Sequence, residues 1–220
     1  MEAASSNGIH FRQAISTDRK ALREALAKFF YPEEPLTVGY YQGSDVTDDD
    51  MEFSLSLIEE GFVWLGVEEK SGRIVALSGG TFSEPDEAQQ LIDFAGRTES
   101  KKFADILRLL GSLALEVDVF NRFGVSKVYH LHYLAVDPQL RGRSLGRILM
   151  EKQFEYAREC GAKVLCADVT GFYSAKLFES LGLQCVKSID YKKYFDEDGQ
   201  QMFLAEEPHE CIRAMVKILE

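Results

Sequence analysis

The stretch Tyr129 to Cys160, YHLHYLAVDPQLRGRSLGRILMEKQFEYAREC, decides the fold. Residues 129–136 are apolar and aromatic with two histidines, Pro138 ends them, and Gly142 to Gly146 leads into a long amphipathic run. That order predicts a strand, a tight basic loop and a helix from about Ser144 to Glu159. Backbone N–H groups at a helix N-terminus, with Arg141 and Arg143 beside them, make an anion site suited to phosphate. A loop that merely caps a helix would use most of the same residues, and the stretch alone leaves both readings open. Residues 163–169, KVLCADV, read as the next strand, so the run from 129 to 169 demands a right-handed parallel unit.

Working outward, Ile9, Phe11, Ala14 and Ile15 suggest a first strand after a frayed leader at 1–8. Thr17 and Asp18 cap a helix whose apolar positions Ala21, Leu22, Ala25, Leu26, Phe29 and Phe30 recur at helical spacing until Pro32 and Pro35 stop it. Thr47 to Asp50 begin a second helix that Gly61 ends. Residues 62–68 and 73–82 form a hairpin around Lys70-Ser71-Gly72, with Gly79 and Gly80 placed for a bulge or a close backbone approach. Residues 83–98 are acidic and predict a loop with at most one short helix. Phe103 to Phe120 is a long helix, Tyr173 to Leu181 another ended by Gly182, residues 183–191 and 201–206 are late strands, and Ile212 to Leu219 is a short closing element.

Composition narrows the function. The chain has 220 residues, a mass of 24.8 kDa, a formal charge of −11 and a pI near 4.9. That charge argues against a nucleic-acid partner and suits a cationic small molecule. Four cysteines without a paired spacing read as free thiols in a reducing compartment, the basic-then-apolar signature of a signal segment is missing, and no apolar run reaches membrane length. The expectation is a cytoplasmic monomer with no membrane partner.

The loop Arg141-Gly142-Arg143-Ser144-Leu145-Gly146 is neither a dinucleotide fingerprint nor a Walker loop. It resembles the Gln/Arg-x-x-Gly-x-Gly/Ala motif of the GNAT superfamily of N-acetyltransferases, with Ser144 where glycine is usual. VTGFYSAKLFESLGL at 169–183 is similar to that family's following helix. FFYPEEPLT at 29–37 looks like the FF-x-x-E-P-L segment of the insect arylalkylamine N-acyltransferases. The three motifs occur in the family's order and the likeness runs from about residue 9 to 206.

The resemblance implies an α/β fold with a mixed, mostly antiparallel central sheet, one splayed parallel strand pair and flanking helices, with 9–220 as a single acyltransferase domain. It implies acetyl-coenzyme A (or another acyl-coenzyme A) as cosubstrate, held by Leu134, Ala135 and Val136 on the strand, by residues 141–146 including Leu145, and by Tyr173. It makes Glu34 the general base, and places Thr170 and Ser174 in binding or proton transfer.

Glu34 and a pair of histidines on the strand at 129–136 each have an independent reading. Glu33 and Glu34 occupy a stiff proline turn, either a solvated acidic turn or a carboxylate fixed over a cleft. His130 and His132 point to one face at strand period two, about 6.6 Å apart along the chain, and are either structural or a shared proton path. HLHYLAV also resembles the histidine-pair strand of the vertebrate serotonin N-acetyltransferases. No metal is expected, because no third ligand is fixed by sequence. Phe178 stands where many family members have a proton-donating tyrosine. Phe30, Tyr31, Tyr40 and Tyr41 offer aromatic surface for an arylalkylamine, with the segments 40–55 and 83–98 as further walls. A polyamine or agmatine-like substrate, a protein N-terminus or side chain reached through an open groove, or a non-catalytic acyl-coenzyme A binding module are the alternatives.

Overall fold

The computed structural model describes residues 5, 6, 8–59 and 62–219. One mixed sheet runs through them, from β1 (Ser5–Ser6), β2 (Ile9–Gln13), β3 (Val63–Glu68) and β4 (Ile74–Ser83) to β5 (Val128–Val136), β6 (Val164–Val169), β7 (Gln184–Asp190) and β8 (Cys211–Ile218). The spatial order is β1-β2-β3-β4-β5-β6-β8-β7. Every neighbouring pair is antiparallel except β5 and β6, which run parallel. The fold is therefore the α/β arrangement that the motifs imply.

Helices cover both faces because the inner strands are apolar on both sides. On β3, Leu65 joins a core with Leu22, Leu26 and Phe29 of α1 (Arg19–Phe29) and Leu55 of α3 (Asp48–Ser56). Its neighbour Trp64 packs with Leu145 and Leu149 of α7 (Leu145–Glu159). Adjacent residues of a strand face opposite ways, so α1 and α7 lie on opposite faces. Each of the fully buried leucines among them contributes roughly 1.5–3 kcal/mol.

Pro35, expected only to stop α1, also opens the short α2 (Pro35–Val38), where a missing N–H loses nothing. The excursion at 83–98 contains one helix, α4 (Glu87–Ala95), packed on α5 (Lys101–Val117). The long helix predicted to run to Phe120 stops at Val117, because Asp118 is left-handed (φ 44°), and the short α6 (Val119–Phe123) follows. α8 (Phe172–Ser180) follows β6.

Two expectations are corrected. Residues 201–206 form no strand: Gln201 and Phe203 make only isolated bridges, to Phe195 and Tyr40. The closing segment is instead the full strand β8, inserted between β6 and β7. β8 buries Ile212, Ala214, Met215 and Val216 whereas β7 is largely exposed, so the apolar strand takes the inner position. Of the expected leader, residues 1–4 and 7 lie outside the described residues, while Ser5 and Ser6 pair with His10 and Ile9. Gly61, expected to end α3, also lies outside them.

The feature that positions the site is the parting of β5 from β6. They pair only from Val128 to Leu131 against Val164 to Ala167, and β5 then runs on to Val136 with its β6-facing edge open. On its other side β5 stays paired with β4 through a register shift at Gly79 and Gly80. A Cβ on Gly79 would stand 2.3 Å from the Tyr133 ring, which is why only glycine fits.

Candidate active site

Two cavities meet beside the open end of β5. The smaller, about 160 Å³, is walled by the end of α1, by α3, α4, α5 and α8 and by the strands, through Phe30, Phe53, Leu91, Phe103, Ile106 and Phe178, with His130, His132 and Asp168 among its polar groups. The larger, a cleft of about 760 Å³, runs along Leu134, Ala135 and Val136 to the loop before α7. Phe30, Glu34, Leu134, Thr170 and Ser174 belong to both walls.

The basic loop is built for close approach. Gly142 (φ 76°) and Ser144 (φ 61°) are both left-handed, and Ser144 caps α7 without a side-chain hydrogen bond, so its N-terminal N–H groups stay open. Gly146 lets α7 pass close to Leu177, whose Cδ2 would lie 3.3 Å from an added Cβ. Arg141, Gly142, Ser144, Leu145 and Gly146 line the cleft. Arg143 does not: it is exposed and outside the wall, and Arg147, one turn into the helix, takes that place.

Glu34 sits at the junction as the N-cap of α2. Its carboxylate accepts from the N–H of Leu36 (3.0 Å), the N–H of Thr37 (2.7 Å) and the Thr37 hydroxyl (2.7 Å), so the side chain is held in one orientation. Across the junction, Ser174 in the first turn of α8 donates to the carbonyl of Gly171 (3.0 Å), and Tyr191 donates to the carbonyl of Thr170 (2.8 Å).

The histidine pair stacks, with ring centroids 4.7 Å apart and planes 25° from parallel. His130 Nε2 lies 3.3 Å from Asp168 and its Nδ1 3.4 Å from Glu87, while His132 Nε2 is 3.0 Å from the Thr81 hydroxyl. Burial alone would lower the His130 pKa, but the Glu87 and Asp168 carboxylates on either side outweigh it and raise it well above the usual value. Burial, then the neighbouring His130 charge, pushes His132 down to about 3. Burial would raise Glu87, yet the two imidazoles pull it down to about 2. Burial pushes the Cys166 thiol up to about 12, which makes it a poor nucleophile.

Of the residues expected to meet the substrate, Phe30, Tyr31 and Thr170 stand in the small cavity's wall, and Tyr31 donates to the Asp50 carbonyl (2.6 Å). Tyr40 and Tyr41 do not, which corrects their expected role. The Tyr40 hydroxyl donates to Asp105 (2.6 Å) and its ring packs on Phe203, while Tyr41 donates to Asp196 (3.0 Å). Hydrogen bonding and core packing hold both away from the cavity. Tyr173 lines the cleft, 70% exposed.

Sequence reasoning missed Glu87, Asp168 and His209. His209 lies in the cleft wall, its Nδ1 accepting from the Phe172 N–H (3.1 Å), which leaves the proton of the neutral ring on Nε2. Of the three, only Asp168, two residues before Thr170 on β6, carried a local signal.

The family model for acetyltransferases (GNAT) matches residues 20–183. The chain belongs to the GNAT family. Over 77 residues, 34% of its length, this GNAT protein is 35% identical to an uncharacterized N-acetyltransferase of Archaeoglobus fulgidus, and the match spans about half (52%) of that protein. Its structure is similar to that of a mosquito arylalkylamine N-acetyltransferase-like 5b, with 36% identity and a TM-score of 0.92 over 96% of this chain and 100% of that one. It is also similar to a polyamine N-acetyltransferase of Drosophila melanogaster that forms N-acetylagmatine, with 34% identity and a TM-score of 0.89 over 96% and 100% of the two chains.

GNAT members use acetyl-coenzyme A, and the residues here fit it. The unpaired edge of β5 along Leu134 to Val136 offers backbone partners to an extended amide chain. That edge leads to the open N-terminus of α7 beside Arg141 and Arg147, where a pyrophosphate would bind.

Proposed function

We propose that the protein transfers an acetyl group from acetyl-coenzyme A to the primary amine of a small arylalkylamine, such as dopamine, tyramine, serotonin or tryptamine. The observation that carries this reading is the shared wall: Glu34 and Ser174 belong both to a largely apolar cavity and to the cleft that fits the cosubstrate.

The N-terminus of α7, with Arg141 and Arg147, holds the pyrophosphate. The open edge of β5 pairs the pantetheine amides and leaves the thioester at the junction. Glu34, fixed by its three hydrogen bonds, takes the ammonium proton directly or through water, with His130 or His132 extending the path. A backbone N–H near Leu134 or Ala135 stabilises the developing oxyanion. Phe178 has no proton to give the departing thiolate, so Tyr173, Ser174, His209 or water supplies it.

The aromatic and aliphatic lining favours an arylalkylamine, as does the pairing of Asp50 with Lys102 (3.0 Å), which removes one carboxylate from cation recognition. One observation favours a second reading: Glu87 and Asp168 around a single His130 leave a net negative charge that suits an agmatine or polyamine. The acidic balance of the whole chain argues for no nucleic-acid partner. Among the described residues no helix is long and apolar enough to cross a membrane. A cytoplasmic monomer completes the reading.

Thiol release by the purified protein, measured over acetyl and longer acyl thioesters crossed with tyramine, tryptamine, agmatine and spermidine, tests it. Arylalkylamines should give the highest kcat/KM; cosubstrate binding without thiol release would make the protein a binding module instead. Glu34→Gln should lower kcat and remove the acid limb of the kcat/KM profile. An unchanged limb together with an inactive His132→Ala would move the base to the histidines.

A further inference from the structure

The sequence fixes two histidines on β5, and the fold brings a third donor to them from the excursion between β4 and α5. We propose that Glu87, His130 and His132 form a binding site for a divalent transition-metal ion of the zinc class, reached from the small cavity. One ligand atom of each of the three lies within 4.8 Å of the others. Bonds of about 2.0–2.2 Å to a tetrahedral ion put ligand atoms about 3.3–3.6 Å apart, so the three donors close by roughly 1 Å around the ion.

The arrangement around the three donors supports it. His130 is held at Nε2 by Asp168, and His132 at Nε2 by Thr81. In each ring the opposite nitrogen, Nδ1, is then the ligand atom; that of His130 faces Glu87 and gives up its proton to solvent as the ion binds. A carboxylate behind one histidine ligand is the usual way a zinc site fixes its ring orientation. Two imidazoles and one carboxylate suit zinc or cobalt better than magnesium or calcium, which prefer all-oxygen shells.

His130 and His132 line the cavity, so an ion on them keeps a coordination position toward that space. Occupation would take both imidazoles out of the proton path and place a dication where an ammonium group is to bind. This inhibitory consequence rests on the proposed reaction; the binding itself does not.

Titration of the purified full-length chain with cobalt chloride, followed by its visible absorption and by zinc competition, tests the site. One equivalent should bind with the intense bands of a four-coordinate ion, and zinc should displace it. Glu87→Gln and His132→Gln should each weaken binding at least tenfold, and Asp168→Asn by about tenfold as the loss of a ligand-orienting partner. Thermal melts confirm that each variant is folded, and the three give independent readings if one is not. Wild-type binding that fails to saturate at one equivalent overturns the proposal. So does an unchanged affinity in a folded Glu87→Gln or His132→Gln. Thiolate charge-transfer bands overturn it as well, because they put the ion on Cys160, Cys166, Cys185 or Cys211.

Discussion

Arg141 and Glu33, 108 residues apart in the chain, form an ion pair in the wall of the cleft. The pair ties the anion loop to the turn that carries Glu34, and it occupies the guanidinium that a pyrophosphate would use. Both side chains are about half exposed, so the pair is worth roughly 0.2–1 kcal/mol. Glu33→Gln should therefore tighten coenzyme A binding by up to about fivefold at low salt, with the gain fading as salt screens the charges. Calorimetric titration at two ionic strengths measures it; weaker binding in the variant would show that Glu33 orients Arg141 rather than competing for it.

Ser144 holds a left-handed conformation that costs a residue with a Cβ roughly 1–2 kcal/mol. Ser144→Gly should stabilise the protein by about 1 kcal/mol, an increase of roughly 2–4 °C in Tm for a chain of this size. Differential scanning calorimetry reads this directly. A fall in Tm would mean that the serine makes a compensating interaction.

Lys102 and Asp50 form a buried ion pair at 3.0 Å, with side chains 6% and 3% exposed. Lys102→Met strands the Asp50 carboxylate and should cost about 3–5 kcal/mol in urea unfolding, most of it regained in the double variant Lys102→Met/Asp50→Asn. Additive losses in the double variant would show that the two side chains are not coupled.

Asp18 contributes at neutral pH and fails in acid. The hydrogen bond from Arg12 holds its carboxyl below the usual range, opposed by burial and helped by the Ile15 N–H. A depressed folded pKa means the stabilisation is complete above the unfolded value of about 3.9 and is lost as pH falls through the folded value. Asp18→Asn should be about 1–2 kcal/mol less stable than wild type at pH 7, and the gap should close toward the acid end of a denaturation series.

Much of the fold was legible because periodicity and punctuation agree along the chain. The strand ending at Pro138, the helix after Gly146 and the bulge at Gly79 and Gly80 all follow from local residues. What escaped depends on assembly. Tyr40 and Tyr41 were expected in the cavity because an aromatic ring in a core has the same local pattern as one in a pocket; only the distant Asp105 and Asp196 distinguish them. Arg147 replaced Arg143 because a helix turn, once formed, decides which arginine faces the cleft. Glu87 was one acid in an acidic excursion, and nothing near it in the chain announces the histidines it meets. The strand at 211–218 was underrated because its place between β6 and β7 is a property of the whole sheet.

The wall common to both cavities has an evolutionary consequence. Phe30, Leu134 and Thr170 each face two spaces, so trimming any of them enlarges both. On the proposed reaction, acyl-chain length and amine bulk are then traded through the same side chains, and a lineage that relaxes one preference relaxes the other with it. Independent adjustment is left to side chains that see one space only, Phe53, Leu91 and Phe103 on one side, Val136, Arg147 and Leu177 on the other.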